Sequence, residues 1–351
     1  MTNTNLLGAY GGQAGDALMF RNRVLNGDMR IDQRNAGASV AFGPDIFSVD
    51  RWKVEGSANS KMTAQQSSVA PAGFTNSVLL TTTAAYAVTA GDFFGIFQAI
   101  EGFNVADLAW GTANAQSISI SFWVRSSLTG TFGGAIENAA NNRSYPFSYS
   151  ISVANTWEQK TVTIPGDTTG TWLTNNGRGL VLRFGVGVGS TYSGPAGAWS
   201  STRYFAPTGA TSVVGTNGAT LYITGVQLEA GPTATPFERR PYSVELDLCE
   251  RYYREIDVNG TTVNIYPGTP NGYFNVSHKE MRSIPVPTFD TTYTNSGNIY
   301  FNSTSVAATY AVNAPATKTG QSIRAVRTTG TFAAGEVCGH TYLRLKLSAE
   351  L

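Results

Sequence analysis

Residues 117–127 read SISISFWVRSS, and this stretch decides the fold class. Ile118, Ile120, Phe122 and Val124 recur at every second position with serine between them. That period belongs to a strand with one face in a core and the other in water. The same pattern recurs outward along the chain. WEQKTVTIP (157–165) alternates through Val162 and Ile164 and stops at Pro165. GLVLRFGVGVG (179–189) alternates through Leu180, Leu182, Phe184, Val186 and Val188. TLYITGVQLEAG (220–231) carries Leu221 and Ile223, then changes phase at Gly225 to Val226 and Leu228, which predicts a β-bulge.

Strands separated by turn signals, with no helices between them, imply antiparallel sheets packed face to face. The expected fold is all-β: a jelly-roll β-sandwich over residues 24–237, then a short helix, then a second, smaller β-domain. The composition agrees. The chain has 351 residues, 38 glycines and only 13% charged residues. The net charge of +1 gives no electrostatic drive towards nucleic acid or an anionic membrane. The N-terminus has no basic region followed by an apolar run, so no signal peptide is expected. No stretch approaches the roughly 20 apolar residues of a membrane span.

Four segments are expected. Residues 1–23, rich in Gly and Asn, read as an arm for attachment. Residues 24–237 form the sandwich. Residues 238–257 form a connecting amphipathic helix, and residues 258–351 a C-terminal β-domain. Ten of the 21 residues from Phe237 to Asp257 are charged, an abrupt change of composition. Ser243 can cap a helix running to Ile256, and Val244, Leu248, Tyr252 and Ile256 fall at i+4 spacing. In the final strand Leu343, Leu345 and Leu347 alternate with Tyr342, Arg344 and Lys346.

Chemistry-bearing patterns are sparse. His278 and His340 lie in no metal spacing, and neither a nucleophile elbow nor a phosphate loop is present. Cys249 and Cys338 are expected to be free. Asp28, Asp50 and Glu229 are candidate calcium ligands, because sandwich loops can supply carboxylate and carbonyl oxygens to a hard cation. The competing reading is salt bridges and caps. Carboxylate pairs such as Asp28 with Asp32, or Asp45 with Asp50, leave a glycosidase open.

The aromatic residues carry more. The loop from Gly189 to Ala219 is long, nearly uncharged and rich in aromatic and small polar residues. Long loops in compact domains are usually functional. Tyr192, Trp199, Arg203 and Tyr204 are therefore the candidate glycan-binding residues: sugar C–H faces stack on aromatic rings while hydroxyls bond to polar groups. Packing that anchors the loop is the alternative for Trp199. Trp110, Trp172 and Tyr145 also read as loop residues. Trp52, Trp123 and Trp157 read as core or rim packing.

NRVLNGDMRIDQRNAG (22–37), followed by FSVDRW (47–52), resembles the opening of a family of bacteriophage tail-fibre and prophage tail proteins. The order of SISFWVRSS, WEQKTVTIPGDTTGTW and LYITGVQLEAGPTATPFERRPYSVELDLCERYY is similar to that family, as is the terminal LRLKLSAEL. The sandwich portion also resembles jelly-roll carbohydrate-binding modules. The resemblance implies a receptor-binding virion protein, assembled in the host cytoplasm, that attaches to host surface glycan without catalysis. It also implies a homotrimer; the arm, which the resemblance does not cover, is expected to dock to other virion proteins. On that reading Val244, Leu248, Tyr252 and Ile256 would meet near the threefold axis. The alternatives are a structural fibre or head-decoration protein without ligand, and a polysaccharide depolymerase.

Overall fold

A computed structural model describes residues 21–258, 262–265, 268–290, 298–301, 304–312, 317–328, 331, 338–341 and 343–351. The expected attachment arm lies outside them up to residue 20. The described residues form two compact units divided between Glu245 and Leu246, with Leu351 grouped with the first.

The first unit is a β-sandwich. Its strands are β1 (Val40–Ala41), β2 (Ile46–Val49), β3 (Trp52–Gly56), β4 (Met62–Ser67), β5 (Ser77–Thr82), β6 (Phe93–Glu101) and β7 (Ile118–Ser126). Then follow β8 (Gly130–Asn138), β9 (Ser144–Ile151), β10 (Glu158–Ile164), β11 (Arg178–Val188), β12 (Ser193–Gly194), β13 (Ala206–Pro207) and β14 (Thr220–Ala230). One six-stranded sheet has the order β1-β4-β5-β14-β7-β10, and the other β2-β3-β6-β11-β8-β9. We call them the first and second sheets. The ladders within both are antiparallel.

The alternation read from the sequence explains the core. Ile118, Ile120, Phe122 and Val124 are all 0% exposed. They meet Leu180, Leu182, Phe184 and Val186 of the other sheet in one apolar cluster. Burying each such side chain is worth about 1.5–3 kcal/mol. The bulge expected at Gly225 is present: the β14–β7 register shifts between Thr224 and Gln227. Gly225 has φ +60°, a left-handed conformation that glycine adopts without a Cβ clash.

The irregular segment Asn22–Ile31 is stitched onto the sandwich by hydrogen bonds. Asn26, at φ +52°, donates its amide to the carbonyls of Ile31 (2.8 Å) and Asp50 (2.9 Å). Trp52 donates its indole N–H to the Asn26 carbonyl at 3.0 Å. Val226 N–H donates to the Gly27 carbonyl at 2.9 Å. A Cβ on Gly27 would lie 2.2 Å from the Val226 oxygen, so only glycine fits there. Buried Arg240 donates to the Val24 carbonyl and pairs with Glu245 at 3.2 Å.

The helix expected over Ser243–Ile256 is shorter. α1 covers Tyr242–Glu250, and its chain then enters strand β15 (Tyr253–Asp257). The i+4 spacing of Tyr252 and Ile256 does not reflect a helix. Ile256 pairs with Leu345 across a sheet, and tertiary pairing overrides a short helical period.

The second unit continues with β16 (Thr262–Ile265), β17 (Asn271–Ser277), β18 (Val286–Asp290), β19 (Asn298–Phe301), β20 (Thr304–Val312), β21 (Gly320–Arg327), β22 (Cys338–Thr341) and β23 (Arg344–Ser348). β16-β17-β21-β20-β19-β22 closes into a barrel, and β15-β23-β18 forms a separate sheet. Closure removes the unpaired edges an open six-stranded sheet would expose. Leu343, Leu345 and Leu347 are buried with Phe274, Val276 and Ile323 in this unit's own core. Arg344 on the opposite face pairs with Asp257 at 2.8 Å. Among the described residues no helix is long and apolar enough to cross a membrane.

Candidate functional site

The polar phase of β7 builds the site. With Ile118, Ile120, Phe122 and Val124 in the core, Trp123 must stand on the outer face of the first sheet. Gln159 of β10 lies opposite it, Thr161 lies opposite Ser121, and Thr224 of β14 flanks it on the other side. Two loops rise over this floor. Thr224 donates to the Asn76 carbonyl at 2.7 Å, fixing the loop that carries Phe74. After β14 the chain turns back, with Gly231 N–H on the Ser117 carbonyl at 2.8 Å. Buried Glu229 holds this return: it accepts Thr235 N–H and the Thr235 hydroxyl, each at 2.7 Å. Gln227 joins them by accepting Glu238 N–H at 2.7 Å.

The result is a cleft of about 560 Å³ lined by Phe74, Trp123, Gln159, Thr161, Phe237 and Arg239, with Ala72, Ala234, Thr235 and Pro236 at its walls. Phe74 and Phe237 meet edge to face at 5.2 Å. The Arg239 guanidinium lies 4.6 Å from the Phe74 ring centroid and 5.7 Å from that of Phe237. Further along the same face Arg125 covers Tyr222 at 5.1 Å, and Trp157 abuts Tyr222 at 6.0 Å. Apolar rings beside amide, hydroxyl and guanidinium donors suit a ligand that is apolar on its faces and polar at its edges. None of the cleft residues was a sequence candidate. The available signal was Trp123 itself, a tryptophan in the polar phase of a strand.

The four sequence candidates lie elsewhere. The loop Gly189–Ala219 is ordered across the outer face of the second sheet by the parallel pair β12–β13 and a bridge between Ser144 and Ser200. Trp199 is half-buried among Trp110, Trp172 and Tyr145, with ring centroids at 5.4, 5.6 and 5.2 Å, and donates to the Pro165 carbonyl at 2.8 Å. Its position is that of a loop anchor. Tyr192 stacks on Phe205 at 4.7 Å, and Tyr204 packs against Gly194. Arg203 pairs with Glu137 at 2.9 Å and covers Phe205 at 4.5 Å. Tyr192 and Arg203 thus share Phe205, while Trp199 belongs to a separate aromatic cluster.

That covered face carries a buried ion network. The Arg183 guanidinium lies between Phe97 (4.4 Å) and Phe205 (4.1 Å). It pairs with Glu137 at 2.6 Å and with Glu55. Arg183 and Glu137 side chains are 2% and 1% exposed.

The calcium candidates are engaged separately. Asp28 pairs with Arg30 at 2.5 Å. Asp50 accepts the Gln33 N–H at 3.1 Å and side-chain amide at 2.5 Å, with Arg34 at 3.7 Å. Burial pushes its carboxyl up to about 6, against the opposing pull of Arg34. Glu229 holds the cleft wall. Among the described residues no three His, Cys, Asp or Glu side chains converge as a metal site.

Of the helix stripe, Val244 and Leu248 are half-buried on α1. Tyr252 is 1% exposed, and Ile256 packs against the core of the second unit. Tyr252 is buried and Ile256 lies in strand β15, so the stripe is not one helix face. Cys249 is buried, and the Cys338 and His340 side chains lie outside the described set.

No family profile matches the chain, and no curated protein matches it. Solved structures do. The enzymatically active domain of tailspike protein 4 from bacteriophage CBA120 is 14% identical with a TM-score of 0.33, covering 60% of this chain and 21% of its own. The family 11 carbohydrate-binding module of Clostridium thermocellum, in complex with a β-1,3-1,4-mixed-linked tetrasaccharide, is 13% identical with a TM-score of 0.29. It covers 57% of this chain and 100% of its own. The chain spans about a fifth of that tailspike chain.

Proposed function

We propose that the protein is a receptor-binding component of a phage tail fibre that attaches to host surface glycan through the cleft of the first sheet, without catalysis. The observation that carries this is the cleft itself: Trp123 as floor, Phe74 and Phe237 as walls, and Gln159, Thr161 and Arg239 as hydrogen-bonding groups. Rings take the C–H faces of a pyranose, and the polar groups take its hydroxyls. The virion setting is supported by the resemblance of residues 22–37, 47–52 and 225–253 to tail-fibre proteins. Shallow sugar sites bind weakly one at a time, so attachment would draw on several copies of the site in a homotrimer.

The test is binding of labelled protein to host cells, before and after surface glycan is stripped, with oligomer mass measured alongside. Loss of binding on stripping, and in Trp123→Ala, is expected. Release of new reducing ends from host polysaccharide would replace this reading with a depolymerase. Indifference to every cell surface would replace it with a structural virion role.

A further inference from the structure

We propose that the cleft selects anionic saccharides, seating a sugar carboxylate or phosphate group on Arg239. This rests on the cleft being the glycan site. Arg239 is exposed at the cleft wall, its guanidinium over the rings of Phe74 and Phe237. Cation–π contact with the rings leaves the guanidinium's N–H groups available as hydrogen-bond donors. Among the described residues no hydrogen bond or ion pair takes up those donors. Among the described residues no carboxylate lines the cleft, and Arg239 is its one formal charge.

The neighbouring charges are turned inward. Glu238 accepts Asn22 N–H at 2.6 Å, and Arg240 pairs with Glu245 at 3.2 Å. Asp28, the acid whose carboxyl feels Arg239, is buried and held by Arg30 at 2.5 Å. An anion entering the cleft therefore meets a cation without a protein competitor. The planar fork matches a carboxylate or phosphate with two parallel bonds, which a neutral hydroxyl cannot reproduce. Gln159 and Thr161 remain for the hydroxyls of the same sugar, and Trp123 for its C–H face.

The experiment is an array of matched oligosaccharide pairs: uronate-bearing with carboxyl-reduced, and phosphate-bearing with dephosphorylated. The wild-type protein is expected to bind the charged member of a pair about tenfold or more tightly. That preference should shrink between about 0.05 and 0.5 M salt. Arg239→Gln should keep its melting temperature and bind both members of a pair alike, losing the preference. Arg239→Lys should retain part of it. The uronate and phosphate arms identify which anion is taken. Equal binding of both members, or a preference that survives Arg239→Gln, overturns the proposal while leaving the glycan site standing. If the wild type and Trp123→Ala alike bind nothing, the glycan reading fails and this inference with it.

Discussion

The two outer faces of the sandwich use one device in opposite ways. On the second sheet Arg183 is clamped between Phe97 and Phe205, and two glutamates complete it. On the first sheet Arg239 lies over Phe74 and Phe237 with an open cleft before it. The first arrangement is finished within the chain; among the described residues no carboxylate pairs with the second. The difference teaches that an arginine held over aromatic rings can be tied down within the fold or stand open to solvent. What separates the two is whether carboxylates of the chain take up the guanidinium's donors. In the loop Gly189–Ala219, Arg203 gives its Nε to Glu137 at 2.9 Å and Trp199 donates to the Pro165 carbonyl.

The largest test of this contrast removes a partner on the closed face. Glu137→Ala leaves Arg183 and Arg203 without their shared carboxylate and should destabilise the sandwich by about 3–5 kcal/mol. A loss below about 1 kcal/mol in denaturant unfolding would mean the network is not what completes that face.

Asp50 sharpens the point, being a buried carboxyl whose arginine stands at 3.7 Å. Its folded pKa of about 6 lies above the ordinary 3.8. The folded state therefore keeps a proton between about pH 4 and 6 that the unfolded chain has released. This contribution is full below pH 4 and is lost as pH rises through 6, by about 3 kcal/mol. Stability measured across that window should flatten in Asp50→Asn.

On the open face Trp123→Ala should weaken glycan binding by on the order of 2 kcal/mol. Its half-exposed ring should cost the fold far less than Glu137→Ala does. Equal losses in both assays would assign Trp123 to packing. Gly225→Ala should act on both, because φ +60° disfavours any Cβ by about 1–2 kcal/mol and the new methyl would press on Phe74 and Trp123. At the small end, Lys53→Ala should change stability by less than about 0.5 kcal/mol, since its partner Asp45 is 87% exposed.

The sandwich was legible because burial imposes period two on each strand, and Ile118 to Val124 display it without interruption. The bulge was legible because a glycine stood where the phase changed. The helix was readable at Tyr242–Glu250 but not at its end, because Tyr252 and Ile256 satisfy a helical spacing while their backbone belongs beside β23. The barrel of the second unit was not legible, since closure depends on pairings distant in sequence such as β16 with β22. The cleft was half written. Trp123 stood in the polar phase of its strand, but Phe74 and Phe237 meet it only through loops whose paths no local pattern fixes. For Trp199, sequence could not separate a ring offered to a ligand from one that donates to the Pro165 carbonyl.

Gly225 has a consequence for what this surface can become. An ideal Cβ there would lie 2.7 Å from Phe74 and 3.2 Å from Trp123. The floor and wall of the cleft come together across the space of one missing methyl group. Residues 72–74 and 234–239 lie in loops, which tolerate exchange and insertion. Exchange at the rim would leave the base of the cleft intact, whereas any side chain at position 225 would wedge its floor and wall apart.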